Sequence, residues 1–235
     1  NRALILNALS AKPGVLNNLS DANDTQLMQK LVFSQEETIN VEDAGTVMRF
    51  LTAYFAIKGQ KRILTGTSRM KERPIGILVE SLRLLGADIQ YLEKEGYPPI
   101  QINPFKTQKS NQLFVPGNVS SQFISALMMI APALKDGLHI EITGHLGSRP
   151  YIEMTASLMR SFGASVSFVG NKIDIEKQVL GINSYSIEGD WSAASYWFAF
   201  VALSKEATLL LPNMILRSLQ GDRVIVDMME QLGVA

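Results

Sequence analysis

The chain has 235 residues, 46% of them apolar and 19% charged, and its 22 basic residues balance its 22 acidic ones. Such a composition is typical of a globular protein of one or two domains, and the zero net charge argues against a general affinity for nucleic acid or anionic lipid. The lack of cysteine excludes disulfides, thiolate metal ligands and thiol nucleophiles and fits a cytoplasmic protein, while no apolar run reaches the roughly 18 residues of a membrane span.

The N-terminal segment is predicted to be an incomplete copy of a unit that recurs later. Apolar residues at helical spacing follow Arg2, residues 15–19 have the character of a strand, and Asp21 to Thr25 opens a second helix. The sequence starts at Asn1 without a methionine and enters the helical pattern at once. We therefore expect it to be part of a longer protein.

Three later segments repeat one order of elements at a nearly fixed distance. Their polar helix openers begin at Asp43-Ala44-Gly45-Thr46, at Gly117-Asn118 and at Gly189-Asp190; Asn118 follows Asp43 by 75 residues and precedes Asp190 by 72. Apolar helices are predicted over 47–57, 123–134 and 193–203, and strands over 62–65, 139–143 and 208–211. A second helix then ends near Gly86, Gly163 and Gly233.

The first two of these segments continue into further strands, predicted over 88–92, 100–102, 165–169 and 172–175, and strands over 113–115 and 185–187 precede the second and third openers. The repeated module is therefore βαβαββ. We predict an α/β (α+β) fold with helices buried inside and sheets outside, like an inverse α/β barrel. Residues 1–187 are expected to form a three-module substrate-binding domain, and residues 188–235 the truncated start of a second similar domain.

The helix openers carry the groups that suit an anionic ligand. Gly45 and Thr46 begin one helix, and Ser120, Ser121 and Gln122 place two hydroxyls and an amide on the first turn of the next. Free amides, the helix dipole and hydroxyl donors together favour a phosphate. Plain N-capping is the alternative explanation, because serine and asparagine cap helices in most proteins.

A basic segment, Arg69-Met70-Lys71-Glu72-Arg73-Pro74, separates a predicted strand from a helix that Pro74 is expected to start. Positive charge at a helix N-terminus opposes the helix dipole unless an anion compensates it. Arg149-Pro150 repeats the arrangement in the next module. The alternative is a solvated loop in which Glu72 pairs with one of the cations. The duplicated openers favour a site for phosphorylated small molecules.

Several motifs resemble, in order along the chain, those of the EPSP synthase family, the 3-phosphoshikimate 1-carboxyvinyltransferases. The most specific is the run from Leu64 through the basic segment to Gly76. The other matches lie at Asn1–Leu4, Ala44–Arg49, Val119–Phe123, Ser148–Ile152 and Glu188–Tyr196. The resemblance thus covers essentially the whole chain.

The resemblance implies transfer of the enolpyruvyl group of phosphoenolpyruvate to the 5-hydroxyl of shikimate 3-phosphate, in the pathway to chorismate and the aromatic amino acids. It implies no metal, no organic cofactor and a monomeric full-length enzyme. The shikimate 3-phosphate site would consist of Arg2, Ser120, Ser121, Gln122, Ser148 and Tyr151. The phosphoenolpyruvate subsite would consist of Gly45, Thr46, Arg69 and Gln122.

The sequence also departs from the family pattern. The family's Lys-Ser pair would lie before Asn1, and its catalytic acid–base pair beyond Ala235, so the chain by itself is expected to bind shikimate 3-phosphate without turnover. Asp43 replaces the usual asparagine, and Phe50 stands where proline often follows Met-Arg. The Phe50 change is expected to alter the fit of phosphoenolpyruvate or glyphosate.

Two other functions share parts of this pattern. The sister enolpyruvyl transferase that acts on UDP-N-acetylglucosamine shares the fold, but most of its members carry a loop cysteine that is lacking here. A repeat-built ring around nucleic acid would need a basic inner face. His139 and His145 lack a partner at metal-ligand spacing and are predicted to be structural or exposed.

Overall fold

The computed structural model describes residues 1–234, so Ala235, the last residue of the predicted second domain, lies outside them. The chain divides into two compact units, one over Asn1–Tyr185 and one that starts at Ser186. No helix of the described residues combines the length and the apolar character needed to cross a bilayer.

Two four-stranded sheets of identical topology form the outer layers of the first unit. The strands of the first sheet are β2 (Thr38–Asn40), β3 (Arg62–Thr65), β4 (Ile89–Tyr91) and β5 (Ile100–Ile102). Those of the second are β6 (Gln112–Pro116), β7 (Leu138–Thr143), β8 (Val166–Val169) and β9 (Lys172–Ile175). The spatial orders are β2-β3-β5-β4 and β6-β7-β9-β8, with the first pair parallel and the others antiparallel in both.

The helices of the first unit pack against these sheets and against one another. They are α1 (Arg2–Leu9), α2 (Asn23–Leu31), α3 (Gly45–Ala56), the short α4 (Ser68–Lys71), α5 (Gly76–Leu85), α6 (Ser121–Ile130) and α7 (Arg149–Ser161). The βαβαββ order is confirmed for both complete modules, as are the buried helices and outer sheets. Both sheets of the described chain stay open rather than closing into a barrel.

Helices α3 and α6 lie at the centre and contact each other as well as α1 and α5. Every residue of α3 is buried except Thr46 and Arg49, and every residue of α6 except Ser121 and Gln122. Burial of apolar surface on all sides of two helices is the main stabilising contribution to such a core. The four residues that escape burial all lie toward one end of the helix pair.

The N-terminal segment folds as predicted into α1, the strand β1 (Val15–Asn17) and α2. β1 forms a two-stranded sheet with β10 (Ser184–Ser186). Gly14 lies so close to the carbonyl oxygens of Ile182 and Asn183 that a Cβ would come within 2.3 Å and 2.8 Å of them. The strand of the incomplete first module is thus paired with β10, near the end of the first unit.

The second unit contains α8 (Trp191–Leu203), a 3₁₀ turn (Gly221–Val224) and α9 (Ile225–Gln231). The prediction of a strand over 208–211 is wrong: these residues have no regular structure. A strand requires a hydrogen-bonded neighbour, and the described part of this unit offers none to that segment. Asp190 still caps α8, accepting hydrogen bonds from the amides of Ser192 and Ala193 at 2.8 and 3.2 Å.

Candidate active site

The first opener places Gly45 at the start of α3, with the guanidinium of Arg73 directly against it. A Cβ at position 45 would lie 2.4 Å from both terminal nitrogens of Arg73. Arg73 Nη1 also donates to the carbonyl oxygen of Asp43 at 3.2 Å, and Thr67 Oγ1 donates to the Asp43 carboxylate. The glycine therefore admits a cation to the N-terminal end of a buried helix.

The basic segment forms the short helix α4 and the turn after it, rather than the start of the longer helix α5. Pro74 precedes α5, which begins at Gly76, so the prediction that this proline lies in the first helical turn is wrong. Lys71 pairs with Glu93 at 2.6 Å, and Glu72 forms no salt bridge in the described residues. Arg69 is exposed and has no ion pair with any residue that the structure describes. Within the same residues, the guanidinium groups of Arg69 and Arg73 are thus left without a carboxylate partner, and that of Arg73 lies against the start of α3.

Two loops of the second module bring the predicted phosphate-binding serines together. β6 and β7 are parallel, so both strands end at the same edge, where Pro116 pairs with Thr143. Gly117 donates to the carbonyl oxygen of Thr143 at 2.7 Å, and Gly147 donates to that of Gly117 at 3.3 Å. The starts of α6 and α7 are therefore held side by side.

Ser120 and Ser148 are the N-cap residues of α6 and α7. Ser120 Oγ accepts a hydrogen bond from the amide of Gln122 at 3.4 Å, which confirms capping there without excluding a ligand. The hydroxyls of Ser121 and Ser148 find no hydrogen-bond partner in the described chain. Helix-start hydroxyls and amides are the donors that a phosphate needs.

Gln122 joins the two central helices. Its Nε2 donates to Thr46 Oγ1 at 3.0 Å, and its Oε1 accepts from Arg49 Nη1. Arg49 also stacks over the ring of Phe123 at 5.3 Å, and burial, followed by the nearby charge of Arg73, lowers its pKa. These bonds connect the starts of α3 and α6, where the two predicted subsites lie.

Arg2 begins α1 and reaches between α6 and α7. Its Nε donates to Thr155 Oγ1 at 2.8 Å and its Nη2 to Ser125 Oγ at 3.4 Å. Burial lowers the pKa of Arg2 to about 10, an effect that the neighbouring Tyr151 partly opposes. No carboxylate within residues 1–234 pairs with this guanidinium. A partly buried cation without a counter-ion is a candidate for binding an anion.

Arg149 behaves differently from the other cations. It bonds Glu153 at 2.7 Å and the carbonyl oxygen of Gly170 at 3.0 Å, and it stacks on Phe168 at 4.5 Å. Pro150 does lie in the first turn of α7 as expected. The two modules thus share a cation and a proline in sequence, but Pro74 lies before its helix whereas Pro150 lies within the first turn. Arg149 is also already bonded to Glu153, so it is not an available cation.

Sequence reasoning did not assign roles to Arg49, Ser125 or Thr155. A signal was present for the two hydroxyl residues, because Ser125 interrupts an otherwise apolar run from Phe123 to Ile130 and both are fully buried. Buried hydroxyls need partners. Finding Arg2 as that partner required the packing of α1 against α6 and α7.

The described residues contain no group of three or more metal-ligating side chains. His139 lies on the exposed face of β7, where its Nδ1 contacts Asp174 Oδ1 at 2.7 Å, in agreement with the prediction that it is structural or exposed. The polar groups described at the helix starts are hydroxyls, amides and guanidinium groups.

Comparison with known proteins finds the same family that the sequence motifs resemble. The model of the family described as EPSP synthase (3-phosphoshikimate 1-carboxyvinyltransferase) matches residues 29–235. A Bacteroides fragilis 3-phosphoshikimate 1-carboxyvinyltransferase is 47% identical in sequence, and the match covers all of this chain and 57% of that protein. A Haemophilus influenzae relative of the same name is 38% identical, and the match covers 99% of this chain and 61% of that protein. The chain thus spans about three fifths of the length of these relatives.

Solved structures share the fold at low identity. An EPSP synthase from Acinetobacter baumannii superposes with a TM-score of 0.82 at 18% identity, covering 99% of this chain and 57% of that one. The enolpyruvyl transferase NikO from Streptomyces tendae superposes with a TM-score of 0.62 at 11% identity, covering 84% of this chain and 51% of that one. With the family model matching most of its residues, the chain belongs to the EPSP synthase family.

Proposed function

We propose that this chain supplies the shikimate 3-phosphate site and part of the phosphoenolpyruvate subsite of a 3-phosphoshikimate 1-carboxyvinyltransferase. The observation that carries the proposal is the pair of touching loops that hold Ser120, Ser121 and Ser148 at two helix starts. The proposed reaction, carboxyvinyl transfer to 3-phosphoshikimate, is supported by relatives that are named 3-phosphoshikimate 1-carboxyvinyltransferase.

In this proposal the phosphate of shikimate 3-phosphate accepts hydrogen bonds from Ser121, Ser148 and the helix-start amides, with Ser120 alongside. Arg2 and Tyr151 line the same substrate. Charge-assisted bonds of this kind are about twice as strong as neutral ones, and the helix dipoles of α6 and α7 favour the anion. The serines therefore bind and orient the acceptor substrate.

Phosphoenolpyruvate would lie toward the start of α3. Gly45 leaves room there, Thr46 adds a hydroxyl, and the uncommitted cation of Arg69 would offset the charge of the second substrate. Gln122 bonds Thr46 across the two helices, so it is placed to touch both substrates. Juxtaposing two anions requires this concentration of donors and positive charge.

The division of the chain near Tyr185 supports a substrate-binding domain that ends close to residue 187. We propose that the chain alone binds shikimate 3-phosphate without turnover, since it spans only about three fifths of its relatives. The full-length protein is proposed to be a cytoplasmic monomer, in keeping with the resemblance.

Calorimetric titration of the 235-residue chain with shikimate 3-phosphate tests the proposal, with shikimate as the phosphate-free control. Ser121→Ala and Ser148→Ala should each weaken binding by about tenfold or more, the value of a hydrogen bond to a charged group. Ser161→Ala is the matched control, because Ser161 lies at the opposite end of α7. Equal binding of both ligands, or no binding by the folded chain, would contradict the proposal.

A further inference from the structure

Arg2 is held by three groups from three different helices, and the sequence predicted a role at Arg2 for none of them. Thr155 on α7 and Ser125 on α6 accept hydrogen bonds from its Nε and Nη2. Phe50 on α3 lies beneath the guanidinium, with the Arg2 Cζ 5.4 Å from the ring centroid. All three supporting side chains are completely buried.

The hydroxyl protons at this site are directed away from the cation. Thr155 Oγ1 donates its only proton to the carbonyl oxygen of Tyr151 at 2.8 Å. In the 2.9 Å contact between the two hydroxyls, Ser125 must then be the donor and Thr155 the acceptor. Both hydroxyl oxygens therefore face Arg2 with lone pairs. They can accept hydrogen bonds from the positively charged guanidinium, which has only donors.

The ring of Phe50 adds a third constraint. Aromatic faces attract guanidinium groups, and the attraction grows when the pair is shielded from water. Two hydrogen bonds define the plane of the guanidinium and the ring supports one of its faces. Because an arginine side chain otherwise loses considerable rotamer freedom on binding, a guanidinium fixed before the ligand arrives binds it more tightly.

We propose that Phe50, Ser125 and Thr155 are positioning residues that hold Arg2 ready for the anionic acceptor substrate. This role rests on the proposed function, since it assumes that Arg2 lines the shikimate 3-phosphate site. Phe50 thereby acts on the binding of shikimate 3-phosphate, although Phe50 lies on α3, whose start belongs to the proposed phosphoenolpyruvate subsite. The three residues act through Arg2 and do not touch the ligand themselves.

Conservative substitutions, each with a control of the same type at another buried site, separate positioning from packing. Thr155→Val removes the hydroxyl that holds Arg2, whereas Thr155→Ser keeps it. Phe50→Leu removes the ring face. One matched control is Thr52→Val, at a fully buried threonine whose hydroxyl bonds only within α3. The other is Phe162→Leu, at a fully buried phenylalanine that is far from Arg2 in sequence and has no cation on its ring among residues 1–234.

Calorimetry with shikimate 3-phosphate and NMR detection of the Arg2 Nε–H group give independent readouts. Thr155→Val and Phe50→Leu should each weaken binding about tenfold, while Thr155→Ser and both controls stay within about twofold of the wild-type chain. In the ligand-free protein, the Nε–H proton should exchange slowly in the wild type and Thr155→Ser, and quickly in Thr155→Val.

The outcomes distinguish this role from the function on which it rests. If the wild-type chain binds the ligand and Thr155→Val and Phe50→Leu bind it equally well, the positioning role is overturned and the proposed function stands. The positioning role is also overturned if the two controls lose as much affinity as the test variants. If the folded wild-type chain does not bind, the proposed function fails and this role fails with it.

Discussion

At the start of α3, the guanidinium of Arg73 occupies the space that a side chain at Gly45 would need. Substituting Gly45→Ala places a methyl group 2.4 Å from the Arg73 nitrogens, and the arginine must move because the helix backbone is buried. The flexible end of Arg73 can yield, so we expect little loss of stability. Its hydrogen bond to Asp43 and its position beside α3 should both be lost.

Because the added methyl group fills the room left at the start of α3 and displaces the neighbouring Arg73 cation, Gly45→Ala is expected to weaken phosphoenolpyruvate binding about tenfold, the value of one hydrogen bond to a charged group. The measurement is calorimetric titration of phosphoenolpyruvate into the chain saturated with shikimate 3-phosphate. Gly181→Ala is the control, because the nearest atom to its added methyl group would be the Lys12 carbonyl oxygen at 3.9 Å. Unchanged affinity in Gly45→Ala would remove this position from the phosphoenolpyruvate subsite.

Among the elements, the loop pairs at the carboxyl ends of the parallel strands recur in both modules. Val41 donates to Thr65 at 2.9 Å just as Gly117 donates to Thr143 at 2.7 Å. In the second unit Gly189 donates to Asn213 at 2.8 Å, although no strand precedes Asn213 there. The loop contact is thus present in all three places, whereas the parallel strand pair is present in only two of them. In the second module this contact holds the neighbouring helix starts side by side.

Separating the two loops of the second module should disrupt the shikimate 3-phosphate site. A Cβ in Gly117→Ala would lie 2.6 Å from the His145 carbonyl oxygen, and backbone cannot yield as a side chain can. We expect a loss of stability of about 1–3 kcal/mol and weaker binding, because Ser120 and Ser121 move away from Ser148. Thermal unfolding and calorimetry measure the two effects.

The matched control lies on the facing loop. A Cβ at Gly147 would meet no atom within 4 Å, so Gly147→Ala should melt and bind like the unsubstituted chain. If Gly117→Ala binds as tightly as Gly147→Ala, the loop contact does not determine the spacing of the serines.

Prediction from sequence succeeded where a pattern is local. Strands β3, β5 and β9 coincide with their predicted residues, since apolar alternation and the period of the modules both mark them. The three-residue β2 was missed because it has a single buried residue, Ile39, and is too short for an alternating pattern to be recognised. The segment 208–211 has a strand-like composition, but a strand also depends on a partner that sequence does not reveal. For the same reason the contacts of Arg2, which join four helices, could not be predicted.

At the scale of the whole molecule, the two units differ in how much apolar surface each one buries. The first contains the completely buried faces of α3 and α6. Of the described residues after 185, only Trp191 and Ala194 are buried, while Leu203 and Leu210 are 89% and 88% exposed. Since buried apolar area is the main source of stability, the first unit should be much the more stable of the two.

Hydrogen exchange of the backbone amides would measure this difference. Amides of α3 and α6 are expected to exchange at the rate of global unfolding of the first unit, and those of α8 at least about a hundredfold faster through local opening. Shikimate 3-phosphate should slow exchange in α6 and α7, because a ligand that binds only the folded state stabilises it, and should leave α8 unaffected. Protection of α8 equal to that of α6 without ligand would show that its exposed apolar residues are stabilised in another way, and ligand protection confined to α8 would place the phosphate site in the wrong unit.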